Sequence, residues 1–529
     1  MIAIAIAAIL LVAIASTLQI KRQLMMFQQN SYRPDRYALW YKESKESTKP
    51  DRLIALILLF ACFAPAIPRM AAAVCAIIFA LWAGIRLIKA KYKKPLVFTK
   101  RAIRIYALSL LLEAAAISIP LLVTVGGTWP RLIGCLGLAL ACYAVSVSLL
   151  LIANLILTPV EKHITKKYYN QAADMLRQMP SLKIIGVTGS YGKTSTKHYL
   201  HRILSEQYDV AMTPGNFNTT LGVVRTIREN LKPYNQVFIV EMGAKQVGDI
   251  KEICDLTHPQ IGIVTAVGPM HLESFGSLDN VQRTKFELVD SLPADGLAIV
   301  NNDFEKIADR KVDNVECLRY TAAETEGADY RATGIKYGRN GTTFTICDKT
   351  GPIIELSTPL VGRCNVSNLI AATIVALRLG VPAEKIKYAV SKIQQVEHRL
   401  SLKRLANGVT IIDDAYNSNP QGSAMALEVL SGFAPGKRII ITPGMVELGE
   451  KQYELNAELG EHIARNADVA IIVGEYNREA LLEGINRVGM PKESVREAAT
   501  FNEANAMMLQ LASAGDAVLI ENDLPDTFK

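Results

Sequence analysis

The sequence predicts an α-helical transmembrane domain followed by an α/β part: a phosphate-loop central domain with a mostly parallel sheet, then a Rossmann-like, doubly wound C-terminal domain. Three observations lead there. Long apolar runs separated by basic loops fill the first 160 residues. From Leu182 onward, short β-branched runs alternate with helical stretches. The first of these runs opens onto a glycine-rich loop that ends in Lys and Thr.

A chain of 529 residues, half of them apolar, is long enough for several domains and excludes a small disulfide scaffold or a disordered chain. Its net charge of +8 conceals a split: residues 1–167 hold 21 Lys/Arg against 6 Asp/Glu, leaving 37 against 44 for the rest. The eight cysteines are scattered without a Cys-x-x-Cys pair or a Cys/His cluster, which suits a reducing compartment and argues against structural zinc.

The first apolar run, Ile2 to Ile20, carries no charge and ends in Lys21-Arg22, without a small-residue cleavage site. Further runs at Leu53–Ile67, Met70–Ile85, Ile105–Val125 and Leu132–Val160 bring the expected spans to about five. The second and third are short and flank Pro65, Pro68 and Arg69, so a tight or re-entrant hairpin is open there. Residues 21–52 and 86–104 each hold eight Lys/Arg, whereas the opposite turns hold only Arg69 and Arg131. The expected orientation in the cell inner membrane is therefore N-terminus outside, with everything after Glu161-Lys162 in the cytoplasm. Glu113 falls inside the fourth span, as a functional carboxylate or a helix-packing hydrogen bond. The stretch Asn30–Tyr37 mixes arginine with aromatics, as a lipid-phosphate site or a plain basic face.

Domain boundaries follow: 1–160 transmembrane, 161–182 linker, 183–398 central, 399–529 C-terminal. In the central part, Ile184–Thr188, Phe238–Glu241, Ile261–Thr265 and Leu297–Asn301 read as strands of a parallel sheet. Gly- and Thr-rich runs between 315 and 361, such as Thr343–Cys347, read as a small antiparallel addition, and Asn365–Gln395 as helix. Thr410–Asp413, Arg438–Thr442, Val469–Val473 and Ala517–Ile520 are the buried strands expected of the last domain.

After the strand comes Thr188-Gly189-Ser190-Tyr191-Gly192-Lys193-Thr194-Ser195, then a helical run. Glycines let backbone N–H groups wrap a polyphosphate, the helix start favours negative charge, Lys193 reaches the terminal phosphates and Thr194 can ligate Mg²⁺. The spacing departs from G-x-x-x-x-G-K-[ST], because Gly186 lies one residue too far.

Over residues 183 to 523 the chain resembles the Mur ligase family, ATP-dependent amide ligases of cell-wall peptide assembly, and most of all the members that add D-alanyl-D-alanine. The resemblance rests on the phosphate loop, Thr213-Pro214-Gly215-Asn216-x-Asn218, Glu241-Met242-Gly243-Ala244, His271 to Ser277, Lys285, Asn365-x-x-Asn368, Arg399, Asp413 to Pro420 and Glu447-Leu448-Gly449. It implies ATP and two magnesium ions as cofactors. Glu241, at the carboxyl end of a strand, is expected to hold Mg²⁺ opposite Thr194. His271 is implied as a ligand of a second magnesium, and Lys285 as the lysine that becomes a carbamate with CO₂. Gly189, Ser190, Gly192, Lys193, Thr194 and Ser195 would bind the phosphates, with Asn368 on adenine and Arg399 and Asp414 closing from the last domain. Asn216 and Asn218 would touch the donor. The usual histidine three residues before Asn368 is Cys364 here.

The implied reaction activates a carboxylate as an acyl phosphate, which an amine then attacks to form an amide. Two departures bear on substrates. Only some twenty residues separate the last apolar run from the phosphate loop, too few for the soluble domain that usually holds the donor's uridine diphosphate. A lipid-linked cell-wall precursor, or a nucleotide-linked one handled at the membrane, is the expected donor; the acceptor is an amino acid or dipeptide amine. Nucleic acid is not an expected partner. The tail Glu521 to Asp526 is acidic where a Lys-Gly-Ser turn is usual, which favours a cationic amine. The rival reading is a membrane transport or assembly protein whose ligase-like module only binds ATP.

Overall fold

The computed structural model describes residues 1–92, 94–123, 127–270, 272–323, 327–338, 341–396, 400–415 and 418–522. Residues 1–166 form one compact unit and the described residues from 167 onward a second.

The first unit is helical. Among the described residues, four helices are long and apolar enough to cross a membrane: Ile2–Gln29, Arg69–Lys89, Lys100–Val123 and Ser146–Arg177. The expected second span is shorter than the others. It folds as Pro50–Phe63, 14 residues or about 21 Å at ~1.5 Å per residue. Its end is set by Pro65, which forces Ala64 into an extended conformation with ψ 123°. This helix runs antiparallel to the next, because Asp51 at its start pairs with Arg86 near the end of Arg69–Lys89 at 2.7 Å. The expected fifth span is divided into Thr128–Ala144 and Ser146–Arg177. Val145-Ser146-Val147 puts three poor helix formers in a row, and the helix breaks at the first. Both parts still follow the first helix, Leu136 and Leu140 clustering with Ala8 and Val12, and Leu150 and Ala153 with Leu24 and Phe27.

Glu46, Asp51 and Arg52 in this unit are buried and paired. Glu46 is fully buried and takes both Arg22 Nη atoms at 2.7 Å, with Lys49 also on it. Burial alone would raise its pKa, but the hydrogen bonds and charges of Arg22 and Lys49 outweigh that and hold it at about 2. Glu113 is buried and accepts a long bond of 3.4 Å from Thr17 Oγ1. In the stretch Asn30–Tyr37, Arg33 pairs with Asp35 at 2.8 Å and the Tyr32 ring lies under the Arg101 guanidinium at 4.5 Å.

The second unit holds two sheets. The first contains β1 (Lys183–Thr188), β2 (Val210–Met212), β3 (Val237–Glu241), β4 (Ile261–Val264), β5 (Leu297–Asn301), β6 (Glu316–Thr321), β7 (Tyr330–Gly338), β8 (Gly341–Cys347) and β9 (Pro352–Thr358). Their order is β2-β3-β1-β4-β5-β6-β7-β8-β9, parallel as far as β7 and antiparallel beyond. The connection from β1 steps over to β3 by way of β2, and the chain then returns to β4 on β1's other side. The carboxyl end of β1 is thus the point where the strand order reverses, where an open α/β sheet leaves a crevice. The run expected as one helix from Asn365 is two, Arg363–Arg378 and Ala383–Ser391, separated by Gly380-Val381-Pro382.

The second sheet holds β10 (Ser401–Arg404), β11 (Thr410–Asp414), β12 (Arg438–Thr442), β13 (Val469–Val473), β14 (Val495–Ala498) and β15 (Ala517–Glu521). Its order is β10-β11-β15-β12-β13-β14, parallel except for β10. The sheet packs its own core around Ile412, Ile440, Ile472 and Leu519.

One packing detail positions the site. Gly186 on β1 and Gly262 on β4 are register partners, and together they receive Leu288 of the helix Leu278–Asp290. A Cβ on Gly186 would stand 2.6 Å from Leu288 Cδ1, and one on Gly262 3.0 Å from its Cγ. Gly186, one residue out of place for a phosphate contact, is a socket instead. We expect Gly186→Ala to cost about 1–3 kcal/mol of stability through overpacking. Adding Leu288→Ala should recover part of that loss, read as the thermal midpoint of the full chain.

Candidate active site

The site is built on the loop after β1. Thr188 Oγ1 donates to the Met242 carbonyl at 2.9 Å, tying the loop's start to the end of β3. Ser190 N donates to the Ala266 carbonyl at 2.8 Å, and Gly268 N to Ser190 Oγ at 3.1 Å. Thr265 Oγ1 donates to the carbonyls of Thr188, at 3.1 Å, and Tyr191. Gly189 (φ 146°) and Gly192 (φ 76°) are required by this path. A Cβ on Gly189 would meet Thr265 Oγ1 at 2.1 Å, and one on Gly192 would meet Asn368 Oδ1 at 2.5 Å. Gly192 caps the helix Lys193–Leu204, whose first N–H groups therefore face the loop. Lys193 Nζ folds over the loop and donates to the carbonyls of Gly189 (2.6 Å) and Ser190 (3.2 Å).

Glu241, buried at the end of β3, is where three segments meet. Thr194 Oγ1 donates to its Oε1 at 3.1 Å, and so does Asn218 Nδ2, also at 3.1 Å. Lys197 Nζ lies 2.9 Å from its Oε2. Burial works to raise the Glu241 pKa, but the charges of Lys197 and Lys193 win and hold it below the usual carboxylate range. The Thr194 and Glu241 oxygens suit magnesium. Adjacent ligands of an octahedral ion at ~2.0–2.1 Å stand about 3 Å apart, and both donors are hard oxygens. Among the described residues no group of three or more His, Cys, Asp or Glu gathers, so the protein offers a sparse oxygen set of the kind Mg²⁺ completes with phosphate and water. Asn216 lies in the same loop as Asn218, its carbonyl accepting the Asn218 N–H at 2.8 Å.

Lys285 departs from the ordinary expectation for a helix lysine: it is buried, with its Nζ 5.9 Å from the centre of the Phe275 ring. Burial and the positive charge of Lys193 bring its pKa down to about 7, so a large fraction is the neutral, nucleophilic amine near neutrality. His271 and Arg399 lie outside the described residues. Asn368 is buried and accepts from Thr196 Oγ1 at 3.1 Å, which sets it against the phosphate-loop helix. Ser195, also buried, sits on the same helix. Asp414 ends β11, where its Oδ1 accepts the Leu400 N–H at 3.0 Å. The acidic tail is turned inward where it is described. Glu521 is buried and takes Ser423 Oγ at 2.6 Å and Ser418 Oγ, while Asn522 Nδ2 donates to the Gly444 carbonyl at 2.6 Å. Burial and the Asp414 charge push the Glu521 carboxyl above its usual range.

The structure therefore gathers Lys193, Thr194, Glu241 and Asn218 and brings Lys285 within the field of Lys193. Sequence reading missed Lys197, Thr265 and Asn301. Lys197 stands one helical turn beyond Lys193, a spacing that puts both on one face. Asn301 ends β5 and donates to the Thr265 carbonyl at 2.9 Å and Ser367 Oγ at 3.0 Å, supporting the loop from behind. For Gly192→Ala the positive φ and the Asn368 contact act together. We expect ADP affinity to fall at least about tenfold with the fold retained, measured by titration calorimetry and circular dichroism.

Comparison with known proteins agrees with this geometry. Residues 187–376 match the Mur ligase middle domain and residues 398–521 the Mur ligase glutamate ligase domain. Over 321 residues, 59% of the chain, the sequence is 32% identical to the UDP-N-acetylmuramoyl-tripeptide--D-alanyl-D-alanine ligase of Escherichia coli (strain K12), of which it spans 69%. The fold is similar to that of MurF from Acinetobacter baumannii, with a TM-score of 0.62 and 28% identity over 69% of this chain and 78% of that one. It is similar too to the MurF ligase from Thermotoga maritima in complex with ADP, at a TM-score of 0.60 and 25% identity over 68% and 80%. With a phosphate loop, a buried carboxylate beside it and both matched domains in order, the chain belongs to the Mur ligase family and is an ATP-dependent ligase that forms amide bonds.

Proposed function

We propose that this ligase is anchored in the cytoplasmic membrane and joins D-alanyl-D-alanine, or a closely related amine, to the peptide carboxylate of a lipid-linked cell-wall precursor. The observation that carries the ligase chemistry is the meeting of Thr194, Asn218 and Lys197 on one buried carboxylate, Glu241, directly beside Lys193. The named activity of the Escherichia coli relative supports the substrate class.

The donor carboxylate attacks the γ-phosphorus of ATP, ADP leaves, and an acyl phosphate forms. The amine then attacks the acyl carbon, and the C–O bond to phosphate breaks as the amine loses a proton. Lys193 neutralises the transferring phosphoryl group, and the loop's N–H groups hold the remaining phosphates. Magnesium held by Thr194 and Glu241 would supply further charge neutralisation and fix the phosphate chain. Asn218, bound to the same carboxylate, brings the donor loop against this centre. Water must be kept out so that the acyl phosphate meets only the amine. Lys285 supports the family's carbamate chemistry, because CO₂ reacts with the neutral amine and a pKa of about 7 makes that form abundant.

Membrane anchoring is supported by the four long apolar helices and the basic loops between them, which favour a cytoplasmic catalytic part and an outside N-terminus. The apolar helices that run directly into β1 favour a donor held at the bilayer. An ATP-driven transport protein would have no need of a buried, neutral amine at Lys285.

In lipid nanodiscs, the full chain should release ADP with D-alanyl-D-alanine only when a muramoyl-peptide donor is present. A lipid-linked donor should give a kcat/KM about tenfold or more above the nucleotide-linked one. Equal rates with the two donors would remove the lipid-linked reading; hydrolysis indifferent to every donor, and to Lys285→Ala, would favour transport. The pH dependence has a definite sign. Lys285 gives up its proton as pH rises through about 7, so carbamate formation, followed by ¹³C-bicarbonate NMR, should grow between roughly pH 6 and 8 and be lost in Lys285→Ala.

A further inference from the structure

The ligand chemistry of Glu241 is set by a residue that the phosphate-loop pattern does not include. Lys197 Nζ stands 2.9 Å from Glu241 Oε2 and donates to the Gly215 carbonyl at 2.6 Å. Both side chains are sealed from solvent, at 0% and 1% exposure. The ammonium is thus held from two sides: by the end of β3, and by the loop that carries Asn216 and Asn218. The Glu241 carboxylate is held on its other oxygen as well, by Asn218 on Oε1, while Thr213 Oγ1 accepts the Glu241 backbone N–H at 3.0 Å and fixes the strand end. Its two oxygens consequently have different fates. Oε2 is covered by a buried cation, and Oε1 alone turns to Thr194.

We propose that Lys197 makes Glu241 a one-oxygen ligand and so selects Mg²⁺ over Ca²⁺ at the nucleotide site. The proposal rests on the reading of Thr194 and Glu241 as the cation-holding pair. Mg²⁺ demands six ligands near 2.0–2.1 Å and takes a carboxylate through one oxygen, whereas Ca²⁺ expands to about 6–8 ligands at 2.3–2.6 Å and gains from bidentate carboxylates. A carboxylate with one oxygen permanently capped meets the first demand and denies the second. An ammonium fixed by Gly215 also cannot swing aside to admit a larger coordination shell. A purely structural ion pair would have no such preference. Its loss would weaken nucleotide binding with either ion alike.

The test is ADP binding to the full-length chain by titration calorimetry, in Mg²⁺ and separately in Ca²⁺. Wild type should bind ADP about tenfold or more tightly with Mg²⁺ than with Ca²⁺. Lys197→Met should narrow that ratio about tenfold, chiefly by improving the Ca²⁺ arm, and Lys197→Arg, which keeps a cation over Oε2, should retain it. An unchanged ratio in a folded Lys197→Met protein overturns the proposal while leaving the nucleotide site standing. Removing one partner of a buried pair can unfold a protein; in that event the wild-type ratio decides, and equal affinities in the two ions overturn the proposal. Wild-type ADP binding that ignores divalent cations altogether would remove both the proposal and the cation site beneath it.

Discussion

A carboxylate sealed from water at the end of a strand is the constraint around which the catalytic unit is arranged. Left alone, an ionised Glu241 would be expelled or protonated, since burying an unpaired charge costs several kcal/mol even after relaxation. The protein answers with two cations and two hydrogen-bond donors drawn from different segments. Thr194, Lys197 and Lys193 come from the helix that follows β1, and Asn218 from the loop after β2. The same compensation that keeps the carboxylate charged therefore fixes the loop and helix that must grip a polyphosphate. Stability and chemistry are demands on the same contacts here.

The electrostatic balance of the cleft follows from that arrangement. Lys193 lowers the pKa of both Glu241 and Lys285, in one case by favouring an anion and in the other by disfavouring a second cation. Its own ammonium rests on the loop carbonyls of Gly189 and Ser190. A single lysine thus acts on both sides of the crevice, beside Lys197 at Glu241 and beside burial at Lys285. The second sheet contributes its own buried acid at the end of β15, where Glu521 Oε1 accepts from the Ser418 and Ser423 hydroxyls.

How far the sequence could be read depended on whether one segment carried its own signal. The central parallel strands did: β1, β3, β4, β5, β12 and β13 are short apolar runs bounded by turn residues, and their burial on both faces leaves no polar alternation to confuse the pattern. β2, β10 and β14 did not, being three or four residues long with half-exposed positions. The phosphate loop was legible because glycine, lysine and threonine must fall at fixed positions before a helix. Lys197 was not, because a lysine on a helix is usually solvated and only the fold reveals that Gly215 and Glu241 close over it. Lys285 stood out through family likeness, while its burial is a property of the packing beneath its helix. The short hairpin helix Pro50–Phe63 and the break at Val145 are local backbone effects that a hydropathy window averages away.

The paired glycines under Leu288 extend this argument to a place no ligand touches. Where two neighbouring strands give up their side chains at the same level, the overlying helix can settle by the thickness of a methyl group. Lys285 lies on that helix one turn before the leucine, so the hollow under Leu288 bears on its depth above the sheet. Any branch of this lineage that fills the hollow would have to retune the reactivity of its amine, even with every cleft residue untouched.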